Sequence, residues 1–330
     1  MNKSRLSIEE REKILYYLSQ KRSCHQIGEL LNRSHTTISR EVKRNILEGE
    51  YSPSRAENRT KRRYAKCGRR NKIDNTPELF EEVFGKIFQK WSPEQISGYL
   101  KEKYSGNLQM QISHESIYQY IYAKAKGTLK KHLLKYLRYK GRKNKNRKLS
   151  HEKRGQIPDA RSIHDRPEEV NKRIVPGHWE GDLIMGKDHK SAIGTLVERT
   201  TRYVLIVPLK EKKAADVKDA FVHHFMEVPE NLKKSLTYDR GKEMVQHKAF
   251  TEDTGMPVYF ADPHSPWQRG TNENTNGLIR DFFPKGTDFS KIIYEELKHV
   301  QNMLNERVRK TLKWKSPEYM FNKLIGAIKP

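Results

Sequence analysis

Along the first 45 residues the apolar positions fall into three short helical sets. Ser7 and Glu10 make a capping box ahead of Ile14, Leu15 and Leu18. Ile27, Leu30 and Leu31 predict a short second helix, and Asn32-Arg33 the turn after it. Ser34 caps a third helix that turns Ile38 and Val42 inward. A similar three-helix pattern returns over 76–122. Thr76-Pro77 opens a helix through Val83 and Ile87, and Ser92-Pro93-Glu94-Gln95 is a capping box with proline at the first helical position. Ile96, Tyr99 and Leu100 follow on the inner face. Ser113 then caps His114 to Tyr122, with Ile117 and Ile121 buried and Tyr118, Tyr120 and Tyr122 read as packing.

From residue 174 the pattern changes to β-rich runs. His178 to Gly186 reads as a strand, and Ser191 to Leu209 as a hairpin turning at Glu198 to Arg202. A helix from Ala214 to Met226 turns Val217, Phe221, Val222 and Phe225 inward. A strand ending at Asp239, a helix near Met244 to Thr254 and a strand at Val258 to Phe260 come next. A polar loop then leads into a helix from Asn272, with Leu278, Ile279 and Phe282 on one side. Ile293, Leu297, Val300 and Leu304 give a last amphipathic helix. Strands followed by strand–helix alternation predict an α/β domain after two all-α ones. The expected boundaries are 1–48 and 76–138 for the helix-turn-helix domains, 49–75 and 139–172 for basic linkers, and 173–325 for the α/β domain.

Charge sharpens that division. Residues 1–175 hold 41 Lys+Arg against 20 Asp+Glu, and residues 176–330 hold 25 against 21, within a formal net charge of +25. A basic half joined to a near-neutral half points to a polyanion-binding module on something else. The outward face of the third helix carries His35, Thr36, Thr37, Ser39, Arg40, Lys43 and Arg44, short polar and basic side chains suited to a major groove. His114 and Glu115 open the corresponding helix of the second unit. The run Arg59 to Lys72 reads as a weakly patterned linker touching phosphate. The arm with Lys140, Arg142, Lys143, Lys145, Arg147 and Lys148 reads as a segment that orders on DNA, the alternative for both being a solvated tether. Cys24 and Cys67 form no C-x-x-C pair, so a zinc finger and a disulfide framework are disfavoured. No P-loop is present, so no nucleotide cofactor is expected. The start, Met1 to Lys13, is too charged for a signal peptide, and no apolar run is long enough for a membrane span. A soluble, cytoplasmic, nucleoid-associated protein is expected.

The chemistry is concentrated in three acidic blocks. Asp182 lies inside a predicted strand, Asp239 ends another before a glycine turn, and Glu273 stands in the first turn of a helix where the dipole favours a negative charge. Strands tolerate aspartate poorly, so two strand aspartates and one helix glutamate suggest an oxygen-rich site for hard cations. Asn276 and Arg280, three and seven residues on, share Glu273's face. Arg269 and Arg280 read either as phosphate neutralisers or as surface ion-pair partners. His264 reads as a proton shuttle or an idle loop residue, and Trp267 as a wedge on a DNA end or a core cover. His178, Trp179 and Glu180 flank Asp182, and alternation puts Glu180 on its face. His223-His224 reads as solvated.

With 33 residues between the last two, Asp182, Asp239 and Glu273 resemble the DDE triad of insertion-sequence transposases. The flanks HWEGDLIMG, LTYDRG and SPWQRGTNENTNGLIRDFFPKGTDF resemble the IS30 family closely, and the likeness runs over most of the chain. Val308 and Lys313 depart from the Pro and Gly expected in the family's tail. The resemblance implies a ribonuclease H-like, retroviral-integrase-like catalytic domain. It implies that Asp182, Asp239 and Glu273 hold Mg²⁺ (or Mn²⁺), expected as two ions, for cleavage and transfer of DNA strands. It also implies helix-turn-helix units on terminal inverted repeats, target DNA as a second substrate, and a homodimer or larger assembly. The rival readings are a DNA-binding regulator with a non-catalytic core and a metal-dependent nuclease without strand transfer.

Overall fold

The computed structural model describes residues 5–66, 71–137, 157–263 and 265–326. The basic arm from Lys140 to Lys148 and the side chain of His264 lie outside the described residues. The chain divides into two compact units, Met1–Asn71 and Lys72–Pro330.

In the first unit, helices α1 (Ile8–Ser19), α2 (Cys24–Leu30) and α3 (His35–Asn45) pack Ile14, Ile27, Ile38 and Val42 into one core. The Ser7–Glu10 capping box is present, and a second, Ser23 with Gln26, starts α2. Ser34 precedes α3, but its hydroxyl meets that of Thr36 at 2.8 Å rather than the helix backbone. Leu15 and Leu30, two of the apolar positions that mark these helices, are 42% and 56% exposed. The seam of α1 runs through Arg11, Ile14 and Leu18, so an arginine that the apolar pattern does not mark fills an inner slot. A hairpin of β1 (Ile46–Leu47) and β2 (Glu50–Tyr51) turns through Glu48 and Gly49, both at positive φ. Helix α4 (Pro53–Lys66) then occupies what the sequence presented as a weakly patterned linker.

The second unit begins with α5 (Lys72–Asn75), α6 (Pro77–Phe88), α7 (Pro93–Lys103), α8 (His114–Gln119) and α9 (Gly127–Tyr136). Leu79, Val83, Ile87, Ile96, Ile117 and Ile121 form their core. Tyr120 is buried with them, whereas Tyr118 and Tyr122 stack on each other at 6.2 Å, with Tyr122 exposed. α8 gives way at Tyr120 to a wider turn through Lys124, short of the regular helix expected to Tyr122. This helical segment is welded to the chain's C-terminal tail. Val308 is buried in its core, and Gln95 donates to the Val308 carbonyl at 2.8 Å. A Cβ on Gly98 would meet the Trp314 ring at 2.2 Å, so only glycine lets that ring in.

The sheet is built from β3 (Arg161–Ser162), β4 (His178–Met185), β5 (Ala192–Glu198), β6 (Val204–Pro208), β7 (Ser235–Tyr238) and β8 (Val258–Phe260), in spatial order β3-β8-β7-β4-β5-β6. β4, β5 and β6 are antiparallel, and β4–β7 and β7–β8 are parallel. A three-strand antiparallel meander whose first strand also pairs with a parallel strand is the ribonuclease H-like arrangement. Helices α10 (Glu168–Lys172), α11 (Ala214–Met226), α12 (His247–Thr254), α13 (Gly270–Ile279), α14 (Tyr294–Glu306) and α15 (Pro317–Gly326) accompany it. One core joins Trp179, Leu236 and Phe260 to Phe221, Phe225 and Phe250, and the other joins Ile193, Val204 and Ile206 to Leu278, Leu297 and Leu304. α14 also finishes the sheet edge. Asn305 exchanges two 2.9 Å hydrogen bonds with the Val204 backbone, and Gln301 accepts from the Ile206 amide at 2.9 Å. Those bonds satisfy edge groups that otherwise invite strand addition. Ile293, expected on the buried seam, precedes α14 and is 58% exposed.

Candidate active site

Strand register puts two of the three acids abreast. In the parallel pair β4–β7, Glu180 stands opposite Thr237, and Asp182, inside β4, and Asp239, just past β7, each lie two residues further on, at the carboxyl end of the parallel pairing. Ligands in open α/β sheets gather at such ends. Gly181 makes room for the pairing, since a Cβ there would sit 2.7 Å from the Tyr238 ring. Asp239 lies just past β7 and accepts the Gly241 amide at 3.1 Å. Asp182 accepts from its neighbour Leu183 at 3.0 Å and from the Asn276 amide group at 2.9 Å.

Arg269 stands against both acids. It donates to the Gly181 carbonyl at 2.9 Å, and its nitrogens lie 3.5 Å from Asp182 and 3.4 Å from Asp239. The reading of Arg269 as a surface ion-pair partner therefore gives way to a partly buried one. Burial pushes the Asp182 carboxyl above its ordinary range, Arg269 opposes that, and the Asp239 charge adds to it. Burial works against the Arg269 cation, but Asp182 and Asp239 outweigh it and hold its pKa above the usual value. The aspartate pair thus demands a cation, and the chain supplies one.

Glu273 is exposed on α13, which begins at Gly270, two residues earlier than expected. A buried polar network fixes that helix on the sheet. The Asn272 amide N–H donates to Glu180 at 2.8 Å, and its side chain donates to the Glu180 carbonyl at 2.8 Å. Glu180 is fully buried and receives Arg199 at 2.9 Å. The Thr195 hydroxyl lies within reach of Asn272 at 3.1 Å and of Asn276 at 3.0 Å. Glu180 and Asp182 face α13 together, as strand alternation requires. Sequence reasoning missed Asn272, Thr195 and Arg199. Asn276 carried a signal, being one turn from Glu273. Among the described residues, no three His, Cys, Asp or Glu side chains are gathered as a ready metal cage.

Other candidates land elsewhere. Arg280 donates to the Met185 and Phe283 carbonyls, which makes it a strut between α13 and β4. His178 is buried on Ser235 at 2.8 Å, away from the acids. Trp267 is 71% exposed in the turn before Arg269, so it does not cover the core. His223 is exposed, and His224 bonds the Ala220 carbonyl at 2.9 Å. His35, Thr36, Thr37, Ser39, Arg40, Lys43 and Arg44 are all exposed on α3, and His114 and Glu115 are exposed at the start of α8.

A ribonuclease H-like sheet carrying abreast aspartates, in a chain that opens with a helix-turn-helix, defines an enzyme of DNA phosphoryl transfer. Residues 2–45 match the family described as "Helix-turn-helix domain", and residues 172–266 match "Integrase core domain". The transposase for insertion sequence element IS1086 of Cupriavidus metallidurans is 42% identical over 313 residues, covering 94% of this chain and 92% of its own. Transposase InsI for IS30A of Escherichia coli K12 is 42% identical over 326 residues, covering 97% and 84%. The transposase for IS4351 of Bacteroides fragilis is 36% identical over 320 residues, covering 96% and 95%. The solved catalytic core domain of BIV integrase aligns with 46% of this chain and 97% of its own at 15% identity and a TM-score of 0.37. The chain belongs to the IS30-family transposases. DNA is its ligand, and divalent-metal dependence comes with the family. No helix among the described residues is long and apolar enough to cross a membrane.

Proposed function

We propose that Asp182, Asp239 and Glu273 hold two Mg²⁺ or Mn²⁺ ions and that this one site cuts and joins DNA at the terminal inverted repeats of an insertion sequence. The observation that carries the reading is the parallel register that sets Asp182 and Asp239 abreast beside a cation. Carboxylate oxygens suit hard divalent ions, and the pair's pull on Arg269 supports the fit. Bound there, such ions supply activation of the attacking oxygen and charge stabilisation at the leaving 3′ oxygen. Asn276 aims Asp182 through its 2.9 Å bond, while Asn272 and Glu180 lock the helix that presents Glu273. With metal bound there, Arg269 would be released from its carboxylate partners to face a DNA phosphate, and the exposure of Trp267 supports its stacking on a DNA end.

The helix-turn-helix at 1–48 and the helical domain at 76–138 share recognition of the repeats in this reading, and the 139–172 arm with Lys140 to Lys148 adds phosphate contacts. Two ends must meet to be joined, which calls for a homodimer or larger assembly on DNA. Asp182→Asn should abolish cleavage of a labelled repeat duplex in Mg²⁺ while leaving duplex binding within about twofold, a change worth under about 0.5 kcal/mol. Cleavage retained by that variant removes Asp182 from the site.

A further inference from the structure

The helix-turn-helix match ends at residue 45, but the compact first unit continues through α4. α4 carries six Lys+Arg and one Glu in 14 residues. A helix so charged has little tendency to pack, and here one buried arginine makes most of the polar ties that hold it. Arg11, 3% exposed, bonds Glu41 of α3 at 2.7 Å, Glu57 and Thr60 of α4 (the latter at 3.2 Å), and the Leu6 carbonyl at 3.0 Å. One guanidinium thereby ties α1, α3 and α4 together, with Ala56 and Pro53 buried on the same side of α4. α4's only acid is spent inward, and its roll about its own axis is set.

The fixed roll decides where the cations point. Arg55, Arg59, Arg62 and Arg63 recur at i, i+4, i+7 and i+8, which is one stripe of a helix. Arg63 donates to Asn45, the last residue of α3, at 3.0 Å, so one end of the stripe meets the end of α3. Between the two helices lies a groove of about 450 Å³, lined by Arg40 and Arg44 of α3 and by Arg63 and Tyr64 of α4, with Arg5 stacked over the Tyr64 ring at 3.3 Å and the groove's one acid, Glu41, already bonded to Arg11. Guanidinium groups facing one groove repel one another unless a polyanion lies among them, and guanidinium is the side chain that pairs best with phosphate.

We propose that α4 is a second DNA-contacting element, whose Arg55–Arg59–Arg62–Arg63 stripe grips the phosphate backbone of the duplex that α3 enters. α3 presents short side chains to base edges, and α4 adds affinity that does not depend on sequence. The inference rests on the reading of α3 as the recognition helix, and the test separates the two.

The full-length protein is titrated by fluorescence anisotropy against a duplex carrying its element's terminal repeat and against a scrambled duplex, over a range of KCl concentrations. The variant Arg55→Gln/Arg59→Gln/Arg62→Gln spares Arg63 and the Arg11 ties, and an unchanged thermal melt verifies that the unit stays folded. Its slope of log affinity against log salt should flatten by about 2 to 3, with both duplexes weakened by a similar factor of about 10 to 100. Arg40→Ala should instead narrow the gap between repeat and scrambled DNA. An unchanged slope in the triple variant, with Arg40→Ala still losing discrimination, overturns the role of α4 and leaves α3's reading intact. Loss confined to the repeat duplex overturns it too, because backbone contacts cannot tell the two apart.

Discussion

The two units handle charge in opposite ways. In the first, residues 1–71 carry 18 Lys+Arg against 8 Asp+Glu, and three of the acids are drawn onto buried arginines: Glu41 and Glu57 onto Arg11, and Glu10 onto Arg33. Among the described residues, most of the remaining cations face solvent. In the catalytic sheet, buried ions of both signs meet. Glu180 holds Arg199 and the Asn272 amide, while Glu198 accepts from the Gly177, Thr200 and Thr201 amides. The first unit uses buried pairs to free an outer basic surface. The second uses them to aim a helix at two aspartates. A polyanion grip needs many loosely placed cations, whereas phosphoryl-transfer chemistry needs few groups held tightly.

The largest expected break in that contrast is Glu180→Gln. It leaves the Arg199 guanidinium buried without its counter-charge and should cost about 3 to 5 kcal/mol of stability, read from urea unfolding. A loss below about 1 kcal/mol would mean the catalytic network is as loose as a surface pair. Next is Arg269→Gln, which leaves Asp182 and Asp239 facing each other. The metal-free protein should lose about 2 kcal/mol, and the rise in Tm on adding Mg²⁺ should grow, because metal then relieves a repulsion that Arg269 relieves in the parent. An unchanged Mg²⁺ response would show that Arg269 and metal do not share the pair.

Smaller effects sharpen the picture. Lys313 sits at φ 52°, ψ 45°, left-handed space that glycine enters without strain. Lys313→Gly should raise stability by about 1 kcal/mol, and a loss would show that the lysine side chain earns its place in the tail. His178 titrates at about 4 in the folded chain against an ordinary 6.5, through burial first and then Lys234, Arg199 and Arg166. The unfolded chain therefore takes the proton first. The stability tied to neutral His178 is complete above pH 6.5 and drains away as pH falls toward 4. His178→Gln should flatten that acid limb of the Tm profile, and an unaltered limb would place the sensitivity elsewhere.

The order of elements was legible from residue patterns because the sheet's strands are apolar and its helices periodic. Asp182 and Asp239 stood out as acids in strands, which tolerate aspartate poorly, and Glu273 through its spacing from Asp239 and its flanking residues. The network beneath them did not, because Asn272, Thr195 and Arg199 are ordinary residues until the fold brings Thr195 to Asn272 and both Asn272 and Arg199 to Glu180. α4 was hidden for a related reason. Its buried face is little more than Pro53 and Ala56, and its anchor is Arg11, an arginine 42 residues upstream of Pro53 that hydropathy places outside. The helical segment over 76–122 was visible, but its union with the tail through Gly98 and Trp314 rests on a shape match across more than 200 residues, which no local pattern encodes.

The most direct test supplies the full-length protein with Mg²⁺ and a duplex labelled at its terminal repeat, and follows 3′-end nicking and joined product together, with Asp239→Asn in parallel. The account predicts that nicking and joining both appear with metal and both vanish in Asp239→Asn, since one carboxylate site serves both steps. Nicking without joining would contradict it by leaving a nuclease, and binding without cleavage under Mg²⁺ or Mn²⁺ would leave a regulator.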